Sequence, residues 1–533
     1  MHPLPTSGLR PSPSAPRPRA LPTHLGRWLA TCALHLGLAA AATSAQAGWT
    51  SAPAITAESR AQHTATALAT GEVLVAGGET DAGGGGFPVS TRLYTPATNT
   101  WRNGPDLPLP RYGHTATRLA DGRVLLAGGR HAAPLQVNEA GTLYIPANAP
   151  ATGTLAPTGP MQLRRSHHTA TLLPDNTVLV AGGWGIAGQD GLSNVEIYDP
   201  QSNTWTSAAQ PLPQGRALHT ATLLPGGRVL VVGGRDNGLG TTRTAWIREA
   251  DGSWTAVPMP AAAPTRAEHT ATLLPDGRVL IAGGRQGTFA PYIPLNDTYL
   301  FNPADNSWTP GPTLTQARYR ASATLMGNGS VLIAGGTTDT ESVNTAETLS
   351  FAPGGAGQAT AQPAMATPRN LHTATLLPTQ QVLVLGGRDD SDATTATAEL
   401  FSLAAPNAPT NVTAQPGNAR VTVRWQAPAG GTTPARYTAT AQPGGRSCTV
   451  SHPATSCTVT GLTNGTPYTF TVVATALGGL ASPPSAPPAA ATPSAAAGPG
   501  GAQPVPTLGE WSLALLAALM LLAGIRLQGP RRR

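Results

Sequence analysis

Histidine is the residue whose placement first suggests chemistry. His63, His114, His168, His219, His269 and His372 each open a Thr-Ala-Thr run, and each follows an arginine by three residues. A ring of imidazoles could hold a metal, which needs donors converging on one point. A side chain repeated in nearly every copy of a unit is better placed to join one unit to the next. The expectation is therefore structural, with no metal site and no cofactor.

Arginine offers a second chemistry. Arg60, Arg111, Arg165, Arg216, Arg266, Arg318 and Arg369 stand three residues before the histidine position in seven copies, and are expected to tie down loop carbonyls between units. Arg130, Arg235, Arg285 and Arg388 directly follow Gly-Gly pairs. Guanidinium groups bind carboxylates through paired hydrogen bonds. These four, with the loop aromatics Trp184, Phe289 and Tyr292, are the candidate ligand contacts; Phe87 lies in a similar loop. Neither a Gly-x-Ser-x-Gly elbow nor a His-Glu-x-x-His helix occurs, and no residue is assigned a catalytic role.

These side chains are positioned by one repeated phrase. The first glycines of its Gly-Gly pairs are Gly77, Gly128, Gly182, Gly233, Gly283, Gly335 and Gly386, spaced by 51, 54, 51, 50, 52 and 51 residues. Each unit reads as four short strands. His-Thr-Ala-Thr-Leu-Leu is the first, and an apolar run such as Val279-Leu280-Ile281-Ala282 is the second. Asp121-Gly122, Asp276-Gly277 and Asn328-Gly329 are expected to form two-residue hairpins. Tyr198-Asp199-Pro200 and its variants end the third strand, and a Thr-Trp marks the fourth at Trp101, Trp205, Trp254 and Trp308. Units two and six lack that tryptophan, with Leu155 near its place in unit two, and unit four has Trp246-Ile247 where the tyrosine would stand.

A continuous apolar second strand implies burial on both faces, which a single sheet cannot provide. Stacking seven sheets around an axis provides it, and antiparallel order brings the arginines and long loops to one mouth. Unit seven stops at Phe401 before any fourth strand. Trp49 stands fourteen residues before His63, as Trp205 does before His219, so the segment near Gly48 is expected to supply the missing strand.

The seven Gly-Gly pairs, the Tyr-Asp-Pro and the spaced tryptophans resemble the kelch family, over roughly residues 48–403. The resemblance implies a seven-bladed β-propeller like that of galactose-oxidase-like copper enzymes. Those enzymes need tyrosine and histidine ligands and a cysteine cross-linked to tyrosine. Residues 48–403 contain no cysteine. A kelch sugar epimerase would leave no short motif.

Residues 406–493 change character. Val421-Thr422-Val423-Arg424-Trp425 alternates as a strand, and the stretch from Gly461 to Val472 resembles a fibronectin type III domain, with Trp425 in the core and Tyr468 at a strand-turning corner. Cys448 and Cys457 read as a disulfide joining two neighbouring strands. A Pro/Ala/Gly-rich linker ending at residue 504 leads to Val505-Pro506-Thr507-Leu508, a short apolar stretch and terminal arginines. This segment, 505–533, resembles the IPTL-CTERM sorting signal, implying a short hydrophobic helix and at least transient contact with a membrane. At the other end, basic residues, an apolar run and Ala45-Gln46-Ala47 read as an export signal over 1–47.

The 533 residues carry a formal charge of +7 and no lysine. Without four arginines before Ala47 and four at the C-terminus the charge is −1, which removes the nucleic-acid reading. The expectation is an all-β, exported, surface-displayed binding or adhesion protein of a Gram-negative bacterium. It is not an enzyme, and it takes an extracellular glycan or protein ligand, anionic in character. The alternative is a secreted carbohydrate-active kelch enzyme, epimerase-like or a degenerate copper oxidase.

Overall fold

A computed structural model describes residues 47–495, apart from 56–57, 82–85, 132–135, 150, 187–190, 237–239, 289, 353, 430 and 477–478. The expected export signal, the linker from residue 496, the expected C-terminal helix and Phe289 lie outside the described residues. No helix among the described residues is long and apolar enough to cross a membrane.

Seven four-stranded antiparallel sheets follow the seven repeats. In blade one they are Thr64–Ala67, Val73–Ala76, Thr91–Thr95 and Thr100–Asn103. The second strand is buried along its whole length in every blade, from Val73–Ala76 to Val382–Leu385. One of its faces meets each neighbouring blade, as the unbroken apolar run requires. Each such Val or Leu removed from water contributes about 1.5–3 kcal/mol.

The ring closes through the N-terminal segment. Gly48–Ala52 pairs antiparallel with Ala398–Ser402 and becomes the outer strand of blade seven, with Trp49 opposite Phe401. Their rings lie 5.0 Å apart, like Trp101 on Tyr94 (5.0 Å), Trp205 on Tyr198 (4.9 Å) and Trp308 on Phe301 (4.8 Å). The indole of Trp49 donates to the Pro363 carbonyl of blade six at 2.7 Å, and Trp101 donates to Pro53 at 2.7 Å. Blades two and six form the fourth strand without tryptophan. Leu155 takes its place opposite Tyr144. In blade four Arg248, and not the Trp246-Ile247 pair, stands where the tyrosine would be, opposite Val229 and Trp254.

The hairpins differ from the two-residue turns expected. Leu119 donates to the Arg123 carbonyl at 2.8 Å and accepts from Gly122 at 3.0 Å, leaving a three-residue loop. Only the glycine has positive φ, 90° at Gly122, while Asp121 caps the turn by accepting from the Arg123 amide at 3.0 Å. This is a turn closed by a glycine bulge, the other common solution for Asp-Gly. The arginine after the glycine locks the next blade: Arg123 donates to Pro200, Arg228 to Pro303 and Arg278 to Gly355, at 3.0, 2.6 and 2.8 Å.

A two-sheet sandwich follows. Thr410–Gly417, Arg420–Gln426 and Ser456–Thr460 form one sheet; Ser447–Ser451, Pro434–Gln442, Tyr468–Ala476 and Ala489–Ala491 form the other. Trp425 packs 5.4 Å from Tyr437 in its core, and the Thr463 amide donates to the Tyr468 hydroxyl at the corner. Cys448 and Cys457 are bonded, their Cα atoms 6.1 Å apart. Their strands are consecutive in sequence but are edges of opposite sheets, so the disulfide staples the sandwich along one open side.

Candidate functional site at the propeller mouth

The six histidines are mortar between blades. Each Nε2 meets a hydroxyl on the first strand of the preceding blade: His63 with Thr373, His114 with Thr64, His168 with Thr115, His219 with Thr169, His269 with Thr220 and His372 with Ser322, all at 2.8–3.0 Å. Burial, then the neighbouring repeat arginine, pushes His114, His219 and His372 down to about 3. They are neutral in the folded protein, and no group of three or more His, Cys, Asp or Glu side chains among the described residues could hold a metal ion.

The seven repeat arginines are fully buried. Each Nη1 donates to the carbonyl of the first glycine of its own Gly-Gly pair, at distances from 2.8 Å (Arg165, Arg318) to 3.4 Å (Arg111). Several also hold a buried carboxylate, as Arg165 holds Glu196 at 2.5 Å and Arg369 holds Glu399 at 2.7 Å. Burial lowers Arg111 and Arg216 to about 10, which leaves them charged at neutral pH. They fix the loops that present the mouth.

Two residues after each repeat arginine lies a ring that sequence reasoning missed. Gln62, Gly113, His167, Leu218, Glu268, Arg320 and Leu371 precede the histidine position, and all have φ between 52° and 60°. A left-handed backbone costs a residue bearing a Cβ roughly 1–2 kcal/mol. It is held here by a chain of hydrogen bonds from backbone amide to carbonyl, blade to blade: Gln62 donates to Leu371, Gly113 to Gln62, His167 to Gly113, Leu218 to His167, Glu268 to Leu218 and Arg320 to Glu268. The signal in the sequence was variability: in Arg-x-x-His this slot holds six residue types in seven blades, while the arginine repeats in all seven and the histidine in six.

A cavity of about 420 Å³ opens at this ring. Four of the seven sequence candidates line it, namely Trp184, Arg235, Arg285 and Tyr292, together with Glu268 and Arg320 from the inner ring. Arg285 is ion-paired to Glu268 and lies 3.7 Å over the Tyr292 ring. Arg320 donates to the other Glu268 oxygen at 2.8 Å. Arg235 lies 5.7 Å over Trp184 and donates to the Thr288 carbonyl at 3.3 Å. Burial opposes ionisation of Glu268, but Arg320 and Arg285 outweigh it and hold the carboxyl below its usual range. Burial first, and then the charge of Arg285, lower Arg235, against the opposing pull of Tyr292, Glu268 and Asp236. His167, which contacts Gln62 across the ring at 3.0 Å, is pushed down to about 4 by burial and by Arg130.

Arg130 and Arg388 stand apart from this cavity. Arg130 is buried, its backbone paired with Tyr112. Arg388 of blade seven reaches across the ring seam to Glu79 at 3.1 Å and Asp81 at 3.3 Å of blade one. A larger recess, about 780 Å³, lies on the hairpin face beside Thr432 and Thr433 of the sandwich. Asp276 within it is already paired with Arg278 at 2.7 Å, and it gathers no comparable set of charges.

A model of the KLHDC2/KLHL20/DRC7 Kelch-repeats domain matches residues 62–284 and 219–407. The chain belongs to the kelch-repeat family. This kelch protein also carries a fibronectin type III domain, matched over 407–490, and an IPTL-CTERM motif, matched over 503–533. Together the three mark an exported surface protein. It is similar to Kelch domain-containing protein 9 of Mus musculus, 36% identical over 28% of this chain and 42% of the relative. It is also similar to the F-box/kelch-repeat protein At1g51550 of Arabidopsis thaliana, 29% identical over 24% of this chain and 29% of that one. The chain thus spans less than half the length of either relative. Among solved structures it is similar to a novel fungal alcohol oxidase of the AA5 family in complex with copper, with a TM-score of 0.56 and 17% identity, over 85% of this chain and 99% of the other. That likeness is one of fold.

The residues at this mouth do not fit a tyrosine–cysteine copper site. The cavity histidines His269 and His372 have Nε2 bonded to blade hydroxyls. Cys448 and Cys457 are joined to each other in the sandwich.

Proposed function

We propose that this kelch protein is a non-catalytic binding protein displayed on the surface of a Gram-negative bacterium. It takes an anionic glycan or protein ligand at the propeller mouth. One observation carries the reading: three guanidiniums, Arg235, Arg285 and Arg320, line the cavity against a single carboxylate, Glu268, among the described residues. The local excess of positive charge attracts an acidic group, and the faces of Trp184 and Tyr292 add apolar contact area. A volume of about 420 Å³ is in the range of small-ligand sites. In this reading the fibronectin type III domain is a stalk, and the C-terminal motif retains the chain at a membrane at least transiently.

The test is an array of acidic and neutral glycans and peptides probed with the full chain. Acidic members bind, and their signal weakens as salt rises. Equal binding of neutral members, or chemical conversion of a bound one, would overturn the reading.

A further inference from the structure

One blade breaks the histidine ring, and it does so at the cavity. Six blades place an imidazole at the mouth end of the first strand; blade six places Ala321 there. In the other six junctions the first glycine of a Gly-Gly pair lies under the imidazole Cε1 of the following blade. A Cβ on Gly77, Gly128, Gly182, Gly233, Gly335 or Gly386 would come within 2.7–2.9 Å of that atom. At Gly283, beneath blade six, the repeat-arginine carbonyl is the nearest neighbour as at the other junctions, but no imidazole follows it: the next neighbours, both at 3.4 Å, are the Leu295 carbonyl and Leu314. The hydroxyl partner is left over as well. Among the described residues Thr270 of blade five has no imidazole partner, and its Oγ1 makes a 3.4 Å contact with its own sheet's Ala282 carbonyl. Ala321 lines the cavity together with His269 and His372, the histidines on either side of it.

We infer that Ala321 is the residue that gives the site its depth: the vacancy admits a small polar group of the ligand, about the size of an imidazole, between His269 and His372. The position of the gap supports this. It falls in the same blade as Arg320 and beside Glu268 and Arg285, so the missing side chain and the concentrated charge occur together. A chance loss of one mortar histidine has no reason to coincide with the charged sector. The inference rests on the mouth as the binding site, but the vacancy itself has a consequence that needs no ligand. An imidazole at 321 has a hydroxyl, Thr270, waiting at the position its six equivalents use.

The experiment compares the full-length protein with Ala321→His and with His114→Ala, a ring histidine remote from the cavity. Thermal unfolding is measured for all three, and binding is titrated with oligogalacturonate and poly-L-glutamate, one polyanion of sugar rings and one of peptide. Ala321→His is expected to unfold at a higher temperature than the wild type and to bind tenfold or more weakly. His114→Ala unfolds at a lower temperature and binds as the wild type does. An Ala321→His protein that is no more stable than the wild type contradicts the vacancy. One that is stabilised yet binds unchanged contradicts its use by a ligand. Should the wild type bind neither polyanion, the anionic reading of the mouth fails, while the vacancy still stands or falls on the unfolding temperatures.

Discussion

Two layers of arginine surround the axis of this propeller. In the inner wall Arg165 and its six equivalents make one contact seven times, with the glycine carbonyl seventeen residues on. At the mouth, the arginines that follow Gly-Gly share a backbone position and little else. Arg388 is matched by Glu79 and Asp81 across the seam of the ring, whereas Arg235 and Arg285 share a sector with Arg320 and one carboxylate. Repetition marks the scaffold, and departure from it marks the site. The same contrast holds for histidine, where six copies hold blades together and the seventh position is vacated beside the charge.

Acid should break the wall first. Six histidines, five of them buried and His372 half-buried, have folded values well below the roughly 6.5 of the unfolded chain, three of them near 3. As pH falls, the unfolded chain takes up protons before the folded one does. The stabilisation is complete above about pH 6.5 and is lost between there and about pH 3. Chemical denaturation from pH 8 to pH 4 should show a steep, monotonic fall in propeller stability. A flat profile would mean that the ring is not buried and neutral.

The next largest effect belongs to one wall arginine. Arg165→Ala leaves the buried Glu196 without its cation, though still accepting from the Gln162 and Leu163 amides, and removes bonds to the Gly182 and Asn194 carbonyls. A loss of about 3–5 kcal/mol is expected in denaturant titration. At the seam the effect is smaller. Arg388→Ala should cost about 1 kcal/mol or less, diminishing in high salt, because the pair is partly exposed. Equal losses at Arg165 and Arg388 would erase the distinction between wall and mouth.

Much of the wall was readable from the sequence because the repeat overdetermines it. Seven Gly-Gly pairs fixed the blade count, and the distance from Trp49 to His63 identified the closing strand. The mouth was less readable because its charges meet partners from other blades. Arg388 and Glu79 are 309 residues apart, and nothing local announces that they neutralise one another. Glu268 and Arg320 sit in the most variable slot of the motif, which a search for repeated residues passes over. Arg130 follows its Gly-Gly pair as Arg285 does, but its backbone pairs with Tyr112, whereas Arg285 pairs with Ala267 and meets the Glu268 carboxylate, which the sequence around neither arginine announces. The three-residue hairpins were missed because Asp-Gly serves both the two-residue turn and the glycine-bulge loop.

The central claim is that the ligand site lies in the sector of Arg235 and Arg285 and not at the seam. The most direct test compares Arg235→Ala with Arg388→Ala in the full-length protein, reading both unfolding and binding of oligogalacturonate and poly-L-glutamate. The account predicts that Arg235→Ala unfolds within about 0.5 kcal/mol of the wild type yet binds at least tenfold more weakly, while Arg388→Ala loses stability and keeps its affinity. The reverse pattern, with affinity lost at Arg388 and kept at Arg235, would contradict it.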